Sequence, residues 1–391
     1  MPKWRNWSGK LESRPEGVHF VRSEADAAAL AAAATSAGRK IRVAGATHSH
    51  APLVVNDGGV IADVGGLSGV LETDVGLGRA VVWAGSRIFS LGNALNLRGL
   101  AFANQGDIDQ QAIAGAVATG THGTGATLRN FSAQVLGLRL VLANGDIVDA
   151  SPDQNTELWQ AARLHLGAFG IITRLTLAVR PRYRLSEQSW ESTLEPVLAD
   201  TDVHVRDNRH FEFFWYPQDD RAVVKTINET EDEAEYPLAE EGSRCAWSHE
   251  VLPNYRPVPH TEMEYSVPAE HGIACMREIR DLLRNRFPDV AWPVEYRTLA
   301  ADDVWLSTAY ERDTVTISVH LGMDEDDGPY FRACEEVFRS HDGRPHWGKV
   351  HYLDGATLAR IHPRWADWWR VRDAHDPRGT FLNAYLASLR S

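Results

Sequence analysis

Residues 41–50 read IRVAGATHSH, and this stretch decides how the chain is organised. Ile41, Val43 and Ala44 form the end of a short buried strand, after which Gly45 and Ala46 let the backbone bend and approach a ligand closely. Thr47, His48 and Ser49 follow, with polar side chains beside exposed backbone N–H groups. Successive N–H groups on a glycine turn make a concavity that suits phosphate. A second stretch, NQGDIDQQAIAGAVATGTHGTG at 104–125, repeats this chemistry at greater length. There Gly106, Gly115, Gly120, Gly123 and Gly125 interleave with Thr119, Thr121, His122 and Thr124. The chain has no GxxxxGK[ST], and GTHGTG at 120–125 breaks the GxGxxG spacing. What these two stretches imply is a diphosphate cofactor held between glycine turns and threonine hydroxyls, without a lysine.

The surrounding pattern supports an α+β chain. Upstream, 23–38 predicts a helix capped by Ser23, with Asp26 three residues on and Gly38 closing it. Downstream come strand-like runs at 59–63, 69–72 and 80–84 and a helix over 86–99. Asn144-Gly145 marks a hairpin within 134–149. A helix over 156–165 and a long strand within 166–180 precede Pro181, where the character changes. Beyond it lie strands at 210–216 and 221–227, then an acidic run from Glu229 to Glu241 that reads as a solvated loop. An amphipathic helix over 268–287, strands at 291–299 and 313–321 and a helix over 328–340 follow. HWGKVHYL (346–353), a helix over 356–372 and a turn at Asp376-Pro377 end the chain. The expected division is residues 1–180, with 354–391 packing back onto them, and a second domain over 181–353.

With 391 residues, 43% hydrophobic and 24% charged, the composition is that of a globular protein large enough for two domains. A net charge of −13 argues against a general nucleic-acid partner and against anionic membranes. No apolar run reaches the ~18 residues of a membrane span, and the first residues carry no signal-type run. A cytoplasmic monomer or small homo-oligomer is therefore expected. Cys245, Cys275 and Cys334 are too far apart for a disulfide framework or a metal knuckle, so they read as small hydrophobes and no metal site is expected. Of 13 tryptophans, many fall in the last third, which implies either large packed surfaces or a sugar-like ligand there.

Several motifs, taken in order, carry a family resemblance: NWSG (6–9), GATHS (45–49), the 104–125 stretch, LGAFGII (166–172), EYR (295–297), RPHWGK (344–349) and DPRGTFLN (376–383). They resemble the vanillyl-alcohol-oxidase-type flavoproteins, in the sugar-lactone and alditol oxidase branch. The resemblance implies an FAD-binding α+β domain of the PCMH type and a cap domain built on an antiparallel sheet. It implies that Gly45, Ala46, Thr47 and Ser49 surround the FAD diphosphate and that His48 bonds covalently to the flavin. Gly115, Thr119, Gly120, Thr121, His122 and Gly123 would form the second diphosphate loop. Ile172 would lie on the adenine side, and Asp107 and His346 beside the ring. Glu295, Arg297 and Lys349 would be the catalytic groups and would also line the substrate site, with Asp107 and His320.

The residue types suit that chemistry. Glu295 and Arg297, two apart on a strand, face the same side. A carboxylate beside a guanidinium holds a hydroxyl in one pose and receives its proton. Lys349 offers positive charge to a developing alkoxide or to anionic flavin. In isolation these would be a solvated pair and a surface lysine, and His48 a hydrogen-bonded or capping histidine. Asp107 replaces a small hydroxyl residue of alditol oxidases, and His320 replaces a threonine. Both changes alter polyol binding and favour an aldonolactone such as L-gulono-1,4-lactone over an acyclic alditol. Gly106, small where some dehydrogenase members are bulkier, favours O2 as acceptor with hydrogen peroxide as product. An alditol or other carbohydrate oxidase, or a lactone dehydrogenase, are the alternatives. His204 and His260 read as surface residues.

Overall fold

The two glycine stretches and the polar strands are brought together by three main sheets. The computed structural model describes residues 2–390. Strands β1 (Gly17–Phe20), β2 (Ile41–Ala44) and β3 (Val60–Asp63) form a parallel sheet in the order β1-β3-β2. Helix α1 (Glu24–Ser36) links β1 to β2. The Ser23 hydroxyl accepts from the Asp26 N–H at its start, and Ala27, Ala31 and Ala34 at helical spacing form its buried stripe. The Gly45 turn leaves the carboxyl end of β2, the end at which parallel strands present ligand-binding loops.

An antiparallel sheet follows, built from β4 (Val70–Asp74), β5 (Arg79–Trp83), β6 (Val135–Val141), β7 (Ile147–Ala150) and β8 (Ile171–Ala178), in the order β7-β6-β8-β5-β4. β6 and β7 are the expected hairpin, with Gly145 at φ +89° in its turn. Helices α2 (Ile88–Asn96) and α3 (Ile113–Thr119) lie between β5 and β6, and α4 (Thr156–Ala162) between β7 and β8. Leu91, Leu95, Ile113, Val117 and Leu158 are buried in one core with Val82 and Leu175.

The second half is an eight-stranded antiparallel sheet. It contains β9 (Arg184–Thr193), β10 (His210–Trp215), β11 (Arg221–Thr230), β12 (Cys245–Trp247), β13 (His260–Pro268), β14 (Val294–Leu299), β15 (Thr314–Gly322) and β16 (Arg344–Pro345). Their order is β12-β9-β11-β10-β14-β15-β13-β16. Helices α5 (Leu194–Asp207), α6 (Gly272–Arg286) and α7 (Asp327–Ser340) cover one face. Phe213, Trp215, Met263, Tyr265, Tyr296, Ile317 and Val319 on that face are fully buried. Each such side chain contributes about 1.5–3 kcal/mol relative to exposure. The alternate residues, including Glu262, Glu264, Glu295, Arg297 and His320, therefore face the other way. β13 was not foreseen from the sequence, and the helix expected from 268 begins only at Gly272.

At the C-terminus, the helix expected over 356–372 is two, α8 (Gly355–Ile361) and α9 (Trp365–His375), separated at His362-Pro363. Proline lacks the donor and crowds the preceding turn, so one continuous helix cannot form. Trp347 stacks on Trp365 with ring centroids 6.1 Å apart, and Trp368 meets Trp369 edge-on at 5.1 Å. This tryptophan cluster is core packing rather than a ligand surface. Thr380 O accepts from Ile41 N at 2.7 Å, and Asn383 Nδ2 donates to Pro52 O and Val55 O at 2.8 Å, so the tail is stitched to the first sheet. Cys275 and Cys334 are buried, Cys245 half-buried, and all three are free. Among the described residues no helix is long and apolar enough to cross a membrane.

Candidate active site at the junction of two cavities

The first cavity is a narrow cleft lined by Gly45, Ala46, Thr47, His48 and Ser49 on one side and by Gly115, Thr119, Thr121 and Ile172 on the other. A Cβ at Gly45 would stand 2.7 Å from the Ala112 Cβ, so only glycine lets the two stretches close on one another. At Gly115 the space a Cβ would fill is open. Among the described residues, no protein group accepts from the backbone N–H of Ala46, Thr47, His48 or Ser49. Arg42 lines the same cleft; it is only 1% exposed and has no carboxylate partner among the described residues. Its guanidinium donates to the carbonyls of Leu53, Leu166, Gly167 and Phe381. Burial and the neighbouring Arg372 charge bring its pKa down to about 9. Free N–H groups beside an uncompensated buried cation fit an anionic diphosphate. His48 is stacked on Trp7 at 5.2 Å, and burial, then Lys349 and Arg87, lower its pKa to about 4, which makes it a neutral imidazole.

The second cavity, of about 570 Å³, includes Gly106, Asp107, His122, Glu262, Glu264, Glu295, Arg297 and His320 in its wall. It meets the first at Gln111, Thr121, His346 and Lys349. The two expected clusters, one of glycine turns and one of polar strand residues, thus share a boundary.

A charge chain runs along the polar sheet face. Arg297 Nη2 lies 2.8 Å from Glu264 and 3.1 Å from Glu295. Glu264 also accepts from Ser318 Oγ at 2.8 Å and lies 2.7 Å from His122 Nε2. Burial alone would raise the Glu264 pKa, but the charges of His122 and Arg297 overcome it and hold the carboxyl well below its usual range. His122 Nδ1 lies 2.8 Å from Gly123 O, so both ring nitrogens face acceptors. Glu295 is the opposite case: burial pushes its pKa up to about 8 in spite of Arg297, with Glu212 and Asp107 adding repulsion. One strand thereby carries a carboxyl that titrates near neutrality beside a permanent cation.

Lys349 pairs with Glu262. Glu262 also lies 3.7 Å from His320 and 3.6 Å from His260, which lines the cavity rather than the outer surface. His346 meets His122 edge-on at 5.7 Å. Asp107 accepts from Arg256 Nε at 3.1 Å and from Asn254. Arg256 in turn pairs with Glu241 at 2.8 Å, and Lys225 lies 3.5 Å from Glu241. The end of the acidic run is thus part of the cavity wall, while its earlier residues are exposed.

Not every expected residue reaches a cavity. Gly120 caps α3 with φ +75°, and a Cβ at Gly123 would stand 2.2 Å from Gln105 O. Both shape the loop, and neither lines the cleft. Sequence reading missed Glu262 and Glu264. Their signal is the alternation in HTEMEYS (260–266), which puts Glu262, Glu264 and Ser266 on one strand face.

A cleft suited to a diphosphate, opening onto a polar cavity on an antiparallel sheet, defines a two-part FAD-binding oxidoreductase. The family of FAD-binding domains matches residues 15–151, and the family described as D-arabinono-1,4-lactone oxidase matches residues 175–255 and 235–389. The chain belongs to this D-arabinono-1,4-lactone oxidase family of flavoenzymes. It is 35% identical to an L-gulono-1,4-lactone dehydrogenase of Mycobacterium tuberculosis, over 98% of both chains. It is 27% identical to the L-gulonolactone oxidase of Bos taurus, over 98% of this chain and 97% of that one. With an alditol oxidase of Streptomyces sp. it shares 28% identity over 98% of both. A solvent-stable cholesterol oxidase has the same fold, with a TM-score of 0.87 over 100% of this chain and 97% of that one at 17% identity.

Proposed function

We propose that this enzyme oxidises an alcohol carbon of a sugar-derived lactone, an aldonolactone such as L-gulono-1,4-lactone, and passes the electrons to O2 with release of hydrogen peroxide. The observation that carries this reading is the placement of Glu295 and Arg297 on the wall of a cavity that joins the FAD cleft at Lys349. FAD, when bound, supplies the hydride acceptor. The protein supplies the rest. Glu295, with a pKa of about 8, receives the proton of the substrate hydroxyl. Arg297, fixed by Glu264, orients that hydroxyl, and Asp107 and His320 bind the other oxygens of the ring. Lys349 stands where the two cavities meet and stabilises negative charge developing there.

Gly45, Ala46, Thr47, Ser49, Gly115, Thr119 and Thr121 hold the diphosphate, with Gly120 and Gly123 shaping the loop. Ile172 contacts the adenine side and His346 flanks the ring, while His122, expected in the second diphosphate loop, lines the substrate cavity and not the cleft. His48, neutral and directed into the cleft, is the covalent attachment point. Residues 1–180 with 354–391 make the FAD domain and 181–353 the substrate domain, in a cytoplasmic enzyme that is monomeric or a small homo-oligomer.

A peroxide assay of aldonolactones against xylitol and sorbitol tests the reading. Turnover of lactones above alditols is expected, and activity on alditols alone would overturn it. The 35%-identical relative is named a dehydrogenase, which favours a second reading in which another acceptor replaces O2. Slow reoxidation in air with fast dye reduction would select it.

A further inference from the structure

In the wall of the substrate cavity lies a cluster of which the proposed reaction uses only His320 and Lys349. His50 is buried against Glu262, with Nε2 4.0 Å from a carboxylate oxygen. His260 Nε2 stands 3.6 Å from that same oxygen. His320 Nε2 lies 3.7 Å from the other oxygen of Glu262.

The tautomers are fixed from outside the cluster. His260 Nδ1 lies 3.0 Å from Val258 O, and His320 Nδ1 lies 2.8 Å from Pro293 O. A ring nitrogen facing a carbonyl carries the proton, so in the neutral ring Nε2 is left with its lone pair. Those lone pairs are aimed at a carboxylate that is itself an acceptor. Two imidazoles with inward Nε2 atoms and one carboxylate converge here, His50 Nε2 closes the cluster, and Lys349 is the cation in contact with Glu262. An Nδ1–H held by a backbone carbonyl with Nε2 turned inward is the arrangement that orients metal-binding histidines.

We propose that His50, His260 and Glu262 form a site for a divalent transition-metal ion of the zinc class, with His320 beside the second carboxylate oxygen and Lys349 as the ion's competitor. The donor atoms of His50, His260 and Glu262 all lie within 4.8 Å of one another. Tetrahedral zinc with bonds of about 2.0–2.1 Å places its donors roughly 3.3–3.5 Å apart. The separations, 3.6 and 4.0 Å to the carboxylate and at most 4.8 Å between any two donors, exceed that range by roughly 0.1–1.5 Å, so the side chains have to draw in around the ion. Three protein ligands leave a fourth position open, and nitrogen with oxygen donors suits zinc or cobalt rather than calcium or magnesium. The ligands come from the segment after the Gly45 turn and from β13, so no local spacing signals them. Because Lys349 neutralises Glu262 in the metal-free protein, metal binding has to displace it.

Equilibrium dialysis of the chelator-treated, FAD-loaded protein against zinc chloride tests this without any turnover, so its outcome is independent of the reaction proposed above. Wild type is expected to bind one zinc per chain saturably. His50→Asn and His260→Asn should each weaken binding by at least about tenfold, while His204→Asn, on α5 and stacked on Phe211, should bind as wild type. Lys349→Met should bind zinc more tightly, since the competing ammonium is gone. FAD absorbance confirms that each variant is folded. Absence of saturable binding, or equal binding by wild type and His260→Asn, would overturn the site. Unchanged or weaker binding by Lys349→Met would overturn the competition.

Discussion

Glu264 sits between His122 and Arg297 as their shared anion: His122 Nε2 lies 2.7 Å from one of its oxygens and Arg297 Nη2 lies 2.8 Å from the other. His122 belongs to the second glycine stretch and Arg297 to a central strand of the large sheet. This one carboxylate therefore ties the second glycine stretch to the large sheet and sets the orientation of Arg297 on the cavity wall.

Replacing Glu264 by Gln should remove that anion and leave the buried Arg297 without its ionised partner. Breaking one partner of a buried pair costs about 3–5 kcal/mol. The expected outcome is a clear fall in Tm and a loss of turnover larger than the change in KM, with Glu264→Asp recovering part of both. Thermal melting and steady-state kinetics of the FAD-loaded variants check it. Wild-type kcat in Glu264→Gln would remove Glu264 from the positioning of Arg297.

Glu295 carries a pKa raised by burial to about 8, so its proton-accepting form gains ground as pH rises. kcat/KM should increase through a limb with its midpoint near pH 8, and Glu295→Gln should abolish that limb. General-base contributions run to about 10²–10⁴-fold, and the rate loss should fall in that range. A flat profile in the wild type between pH 6 and 9 would exclude Glu295 as the base.

The proposed covalent bond at His48 has a direct readout. Denatured wild-type protein on a gel should retain flavin fluorescence, and His48→Ala should show none while still binding FAD in its native state. A pKa near 4 keeps this imidazole neutral, hence nucleophilic, across the physiological range. Non-fluorescent wild-type protein would show that the FAD is bound without a covalent link.

Stability should fall on acidification from about pH 6.5. His48, His165, His320 and His351 have pKa values lowered to about 4 by burial, and His346 to about 3. The unfolded chain binds protons at these sites that the folded chain refuses, so the stability they allow is intact above the unfolded pKa and lost as pH drops toward 4. Glu295, Asp302 and Asp109, raised by burial, act in the opposite sense and favour the folded state at lower pH, but they stand against these five and against His50, His210 and His362, which burial also lowers. Tm measured from pH 7.5 to 5 should decline, and a rise over that interval would show that these rings are solvated.

Much of this molecule could be read before any coordinates. Gly45 lies where two stretches of backbone must close on one another, Ser23 caps its helix, Asn144-Gly145 turns its hairpin, and the spacing of Glu295 and Arg297 puts both on one strand face. These are local rules, settled by sterics and by the two-residue period of a strand. Glu262, Glu264 and His50 were not legible in that way, although the alternation in HTEMEYS was present to be read. An isolated alternating run says that one face is polar without saying what that face meets.

What the sequence determined by itself was the set of local conformations and the family to which the ordered motifs belong. The tertiary structure alone decided which charges became partners. Glu264 meets His122 across 142 positions and Arg297 across 33. Whether a buried carboxyl such as Glu295 is held neutral or, like Glu264, ionised depends on how many cations the fold brings within a few ångströms in a region without water. That balance of desolvation against Coulomb attraction is a property of the assembled site rather than of any stretch of chain.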